Sequence, residues 1–174
     1  LIARFDTLYL DFNEHGRNAL YYPSSSHQFA HRIREELPGH QIRRAAPILA
    51  QLRMHKEPEE VEQMRTACQI TRDAFARVCK ACKPGIREYD LEAEAIYEFT
   101  KQGATGFAYS PIFAAGKNAC TLHYNQNESV IGDSELILMD FGAEYGNYSA
   151  DLTRTIPSNG KFTKRQREVY EAVH

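Results

Sequence analysis

The chain has 174 residues, enough for one good core or for one domain and a piece of another. Apolar residues at 43% and charged residues at 25% are ordinary for a soluble globular protein, and a net charge of −2 gives no reason to expect nucleic acid or an anionic membrane as partner. No stretch approaches the roughly 20 apolar residues that a membrane span requires.

The sequence starts at Leu1 without an initiator Met and stops inside a helical pattern, so it reads as an excerpt of a longer protein. Residues 1–46 are expected to be the tail of a small α/β unit. A strand over 7–12 and a turn at 13–16 lead to a helix capped near Ser24 and carrying Phe29, Ile33 and Leu37, which ends at Pro38-Gly39. A short strand at 41–43 and a connector over 47–56 follow, with Arg53 and Lys56 solvated.

Glu57-Pro58-Glu59-Glu60 is a strong helix start, with Pro in the first turn and acids facing the positive end of the dipole. Val61, Met64, Cys68, Thr71, Phe75, Val78 and Cys82 then form one apolar stripe, closed by Lys83-Pro84-Gly85. Cys79 and Cys82 make a C-x-x-C, but without a second pair they read as buried apolar thiols, not as zinc ligands. Free thiols fit a reducing, cytoplasmic setting. A second helix over 88–102 buries Leu91, Ala95 and Phe99 and stops at Gly103. Strands are expected at 108–113, 121–124 and 136–140, with a turn at 116–118 and polar loop at 125–128. After a turn at 158–161, Thr163 is a candidate N-cap for a helix over 164–174. This order predicts an α+β fold, an antiparallel sheet with helices on one face. No G-x-G-x-x-G, P-loop or nucleophile elbow is present.

The chemistry is concentrated between Glu135 and Pro157. An apolar run ends on Asp140, turn residues follow, and a second strand starts near Tyr148. With a two-residue loop at Tyr145-Gly146, Glu144 faces Asn147 and Asp140 lies directly opposite Asp151. Like charges there are destabilising unless a cation sits between them. In two-metal hydrolytic sites the ions lie about 3.5–4 Å apart. A bulge that shifts the register, or simple solvation of both carboxylates, would instead leave the pair without chemical meaning.

Taken together, Glu57-Pro58-Glu59-Glu60, Pro84-Gly85, Leu122-His123-Tyr124 and the run from Met139 through Asp140, Gly142, Asn147 and Asp151 to Thr155 resemble the pita-bread metallopeptidases. The similarity is greatest to the aminopeptidase P (Xaa-Pro aminopeptidase) branch, then to prolidase, and covers about three quarters of the chain. It implies the first half of a pita-bread (creatinase/aminopeptidase) fold. Residues 57–174 would be the N-terminal half of the catalytic domain, 47–56 a connector, and 1–46 the end of an α/β N-terminal domain.

The resemblance further implies that Asp140 and Asp151 are two of five ligands to a pair of divalent ions, usually Mn²⁺. His123 would contact the scissile bond, and Tyr109 would lie near the substrate pocket. The reaction would be hydrolysis between an N-terminal residue and a following proline, with a homo-oligomer as the full-length form. Hard oxygen ligands suit Mn²⁺ or Mg²⁺, bound metal acidifies water, and a single oxyanion donor is worth about 2.7–4 kcal/mol. The family's remaining ligands, one His and two Glu, come later than His174, so weak metal binding and no turnover are expected of this chain alone. An Xaa-Pro dipeptidase is the nearest alternative. A non-catalytic peptide-binding module and creatinase-like amidine hydrolysis are disfavoured, because such relatives lose the metal ligands that Asp140 and Asp151 match.

Overall fold

The computed structural model describes residues 2–12 and 24–174, and the chain divides into two compact units, Leu1–Lys56 and Glu57–His174. In the first, β1 (Thr7–Leu10) and β2 (Gln41–Arg44) pair in parallel, Thr7 against Gln41 through Leu10 against Arg44. They are joined through α1 (Ser25–Glu36), whose cap Ser24 accepts the His27 N–H and whose buried side is Ala30 and Ile33. The strand ends at Leu10, two residues short of the expected range, and the turn expected at 13–16 lies outside the described residues. The connector forms α2 (Ala46–Met54), with Pro in its first turn and no buried residue.

The second unit opens with α3 (Pro58–Ala81). Glu57 and Glu60 form a reciprocal capping box, the Glu57 N–H donating to Glu60 Oε2 at 2.7 Å. The buried face is Ala67, Ile70, Thr71, Ala74, Phe75 and Val78. The expected stripe is therefore right at Thr71, Phe75 and Val78 but rotated elsewhere: Met64 is 37% exposed and Cys68 is exposed. The packing line runs through the fully buried Ala67 and Ala74, small residues that permit close approach and that a search for large apolar side chains passes over. Cys79, expected to be buried, is exposed, while Cys82 is half-buried with its thiol 3.8 Å from the Ser158 carbonyl.

The second helix of this unit is α4 (Glu88–Lys101), which buries Leu91, Ala95 and Phe99. It ends where expected: Gly103 adopts φ +79°, its N–H bonds to Thr100 O at 3.2 Å, and the Ala104 N–H reaches Phe99 O at 3.0 Å. That pair of bonds is a Schellman motif, which needs a residue at ease with positive φ.

The strands form two antiparallel three-stranded sheets where one was expected. β3 (Gly106–Phe107), β6 (Ala143–Tyr145) and β7 (Tyr148–Ser149) make the first. β4 (Ile112–Ala115), β5 (Leu136–Asp140) and β8 (Thr153–Pro157) make the second. Helix α5 (Lys164–Val173) closes the chain, capped by Thr163 as expected. Ile137 and Met139 of β5 are buried while Leu136, Leu138 and Asp140 are half-buried, the period-2 alternation of a sheet with unequal faces. Ile137, Met139 and Phe141 join Phe75, Val78, Leu91 and Phe99 from the two long helices in one core cluster. Phe141 stacks on Phe75 and Phe113, with ring centroids 4.3 and 5.1 Å apart. A polar tie is set inside this core: the Thr71 hydroxyl donates to Ala67 O and accepts the Ala143 N–H, at 2.8 and 2.9 Å.

No strand forms at 121–124. Gly116–Cys120 is a 3-10 helix and irregular chain follows. Side chains, not a ladder, satisfy much of this segment, with the Ser129 N–H donating to Glu88 at 3.0 Å.

Burial raises the Cys82 thiol to about 11. Only about one Cys82 in a thousand is then thiolate at pH 8, and the thiolate is the reactive species. Peptide mapping after brief iodoacetamide treatment at pH 8 is expected to find Cys82 labelled at least about tenfold more slowly than the exposed Cys68 and Cys120.

Candidate active site

The hairpin that carries Asp140 and Asp151 turns at Gly146-Asn147, one residue later than expected. Tyr145 pairs with Tyr148 and Glu144 with Ser149. Gly146 and Asn147 have φ of +57° and +66°, the two positive values of a type I′ turn, which Gly and Asn reach most easily. The tip is seated on the first turns of α3: the Tyr148 hydroxyl bonds to Glu60, and Gln63 packs against Gly146.

The later turn changes what faces what. Asp140 pairs with Thr153, not with Asp151. The Phe141 N–H bonds to Leu152 O and the Ala150 N–H to Ala143 O, at 3.3 and 2.9 Å, so the same register continues across the gap between the sheets. Asp151 thus falls opposite Gly142, on the same face as Asp140 but one diagonal step away. Diagonal neighbours are roughly 7–8 Å apart, which relaxes the like-charge repulsion of a direct pair. Gly142 is required by proximity: a Cβ there would lie 1.8 Å from the Ala150 carbonyl oxygen.

Opposite this stretch the strand partner loops out. Phe107 pairs with Ala143 and Ile112 with Asp140, so residues 109–111 face the single residue Phe141. A bulge with two extra residues re-aims side chains, and here it sends the Tyr109 hydroxyl between the carboxylates, 2.6 Å from Asp140 Oδ1 and 3.0 Å from Asp151 Oδ1. A phenol has one proton to share between them. Burial first, and then the bonds to both carboxylates, hold Tyr109 above the ordinary phenol range, so it stays a neutral donor.

All four residues singled out in the sequence, Tyr109, His123, Asp140 and Asp151, line one cleft of about 470 Å³, together with Ser110, Ile112 and Asn125. His123 has φ of +54°, an uncommon conformation for a residue with a side chain, though one in which His is enriched. Ser110, Ile112 and Asn125 were missed. Asn125 sits two positions from His123 in what reads only as polar loop, and Ser110 belongs to the unforeseen bulge. The two carboxylates offer hard oxygen donors suited to a divalent ion. Among the described residues, no group of three or more His, Cys, Asp or Glu is gathered that could hold a metal.

Two variants probe the geometry. Gly142→Ala is expected to force the hairpin strands apart, lowering stability by about 3 kcal/mol or more and the melting temperature by roughly 6–12 °C in calorimetry. Tyr109→Phe removes the shared donor; with the site half-exposed, a loss of about 1 kcal/mol is expected in urea unfolding. Because the folded phenol titrates above its unfolded value, this contribution is present below the ordinary tyrosine pKa and is lost as pH rises through the folded one. Absorbance at 295 nm should accordingly show one fewer late-ionising tyrosine in Tyr109→Phe.

Comparison with known proteins supplies the context. Residues 62–174 match the model of metallopeptidase family M24. The chain is 45% identical over 127 residues to the Xaa-Pro aminopeptidase of Escherichia coli K12, covering 73% of this chain and 29% of that protein. It is 39% identical over 132 residues to human Xaa-Pro aminopeptidase 3, covering 76% and 26%. Among solved structures it superimposes on zinc-substituted E. coli aminopeptidase P in complex with product at a TM-score of 0.86, with 35% identity over 97% of this chain and 38% of that one. Proline aminopeptidase P II from Yersinia pestis gives 0.82, with 37% identity over 98% and 39%. The chain thus spans less than a third of the length of these curated relatives. It carries part of the pita-bread fold and belongs to metallopeptidase family M24.

Proposed function

We propose that the cleft is this chain's share of a two-metal site that hydrolyses the bond between an N-terminal residue and a following proline. The observation that carries the reading is the gathering of the Asp140 and Asp151 carboxylates and the His123 imidazole in one cleft. The names of the relatives, Xaa-Pro aminopeptidases and a product complex of a zinc-substituted aminopeptidase P, support both the substrate class and the use of divalent metal.

In this reading Asp140 and Asp151 would hold two divalent ions, with Mn²⁺ favoured by an all-oxygen donor pair. Bound there, the metal would acidify water and polarise the scissile carbonyl. Tyr109 orients the two carboxylates by donating to them and forms one wall of the cleft against the substrate. His123 lines the same cleft from a separate loop, and in this reading it would donate a hydrogen bond to the developing oxyanion. Two carboxylates leave most of each ion's coordination to water, so the 174-residue chain alone binds metal weakly and does not turn over. The first unit reads as the end of an N-terminal α/β domain and the second as the first half of the catalytic domain, in a cytoplasmic, homo-oligomeric protein.

The test is an assay of the longest natural form of this chain on Xaa-Pro-Xaa tripeptides against Xaa-Pro dipeptides. Release of the first residue from tripeptides, abolished by chelation and restored by Mn²⁺, is expected; activity confined to dipeptides would assign the site to a prolidase instead. Asp140→Asn and Asp151→Asn should each lower kcat/KM by about 10³ or more through loss of a ligand, and His123→Ala by about 10²–10³. Undiminished activity in Asp140→Asn, or proline-specific cleavage by the 174-residue chain alone, would overturn the reading.

A further inference from the structure

His123 and Asn125 reach the cleft from an irregular segment, so something must fix that segment's shape. Between the end of β4 at Ala115 and the start of β5 at Leu136 lie twenty residues with only a short 3-10 helix, and three non-glycine residues among them, His123, Asn127 and Ser134, hold positive φ of +54°, +49° and +57°. Backbone in such conformations persists only where its surroundings over-determine it.

The surroundings are two buried polar groups that α4 supplies or touches. Glu88, at the first position of α4, is fully buried. Its Oε1 accepts the Ala115 N–H at 2.8 Å and the Asn118 side-chain amide at 3.0 Å. Its Oε2 accepts the Tyr124 hydroxyl at 2.7 Å and the Ser129 N–H at 3.0 Å. Four donors, drawn from the beginning, middle and end of the loop, thus converge on one carboxylate. The Glu88 N–H returns a bond to Ser129 O at 3.0 Å, which closes the base.

One turn along α4, Glu92 accepts from the Asn127 side-chain amide at 3.0 Å. The same amide reaches Pro111 O at 3.0 Å, and Asn127 Oδ1 accepts the Phe113 N–H at 2.9 Å, tying the loop back to β4. His123 and Asn125 sit between these anchors, His123 adjacent to Tyr124 and Asn125 between Tyr124 and Asn127. Tyr124 is itself buried, and burial together with its bond to Glu88 holds its hydroxyl protonated as a donor.

We infer that Glu88 is the positioning residue of the cleft: a buried carboxylate on α4 that gathers the 116–131 loop and, through Tyr124 and with Asn127, sets where His123 and Asn125 stand relative to Asp140 and Asp151. A carboxylate suits this place because it only accepts, and every group around it donates. A carboxamide does not: wherever its NH₂ lies, it opposes the N–H of Ala115 or of Ser129, and neither backbone group can turn away. The consequence for catalysis rests on the role proposed above for His123, whereas the dependence of the loop on Glu88 does not.

The experiment uses the 174-residue chain with Glu88→Gln and the milder Tyr124→Phe, which deletes one donor and keeps the ring. Hydrogen exchange of backbone amides is read together with the ring resonances of His123, using His174 as an internal reference. In Glu88→Gln, amides of the 118–129 loop should exchange about tenfold faster or more, the equivalent of losing one hydrogen bond's worth of protection. Amides of Leu136–Asp140 should stay within about twofold of wild type, and the His123 ring resonances should shift while those of His174 stay in place. Tyr124→Phe should move the same loop amides and His123 in the same direction by less, and it decides the matter if Glu88→Gln does not fold. Uniform acceleration across the loop and β5 would reduce Glu88 to a general source of stability and overturn the proposal. So would unchanged loop amides and His123 resonances in folded variants. Since neither readout requires turnover, a protein that cleaves no Xaa-Pro bond leaves this result standing, and an ordered loop without Glu88 leaves the peptidase reading standing.

Discussion

Where β5 gives way to β6, the carbonyl of Ala150 passes through the space that a side chain at position 142 would fill. That close approach keeps the returning strand in register across the break between two sheets, so that the ladders on either side of it agree. Every distance in the cleft that involves Asp151 follows from it. A wider crossing would let the returning strand drift, and the Tyr109 hydroxyl could not then touch both carboxylates.

The same few residues serve the core and the cleft because a strand alternates its faces. Met139 and Phe141 point into the cluster made with α3 and α4, and Asp140, between them, points the other way. The Phe141 ring, stacked on Phe75 and Phe113, fixes the strand at the point where Asp140 leaves it. On the partner strand the bulge adds residues without breaking the pairing on either side, which is how Tyr109 reaches across without unbalancing the core. Rigidity in the site is borrowed from apolar packing one residue away.

The helices of the second unit were legible in the sequence because their ends announce themselves. Glu57-Pro58 with Glu60 and the Gly103 stop are local signals, and both are made by the local bonds they imply. Tyr109, His123, Asp140 and Asp151 were singled out through a resemblance to a family, and the structure lines one cleft with all four. The register was not read correctly, although the information was present: a two-residue loop of Gly146-Asn147 satisfies the type I′ requirement at both positions, and Tyr145-Gly146 at only one. Glu88 was illegible for a different reason. In sequence it is one more acid in the first turn of a helix, the usual solvated partner of the dipole. Its burial depends on Tyr124 and Ser129, 36 and 41 residues further along. The loop that carries His123 looked like a strand because β-branched and aromatic residues suit one, whereas its actual shape is held by side chains from elsewhere in the chain.

The two-residue tip at Gly146-Asn147 makes the segment between Asp140 and Asp151 intolerant of any change in length. Side chains along a strand alternate with a period of two, so adding or removing one residue past the tip would exchange the faces of everything that follows. Asp151 would then turn toward the helices and Leu152 toward solvent, burying a charge and stripping the core of an apolar side chain in one step. Substitutions on the exposed edge of this hairpin leave that parity intact, whereas a single insertion or deletion would remove half of the carboxylate pair at once. The count of ten residues between the two aspartates is therefore a geometric quantity, as much a part of the site as the aspartates themselves.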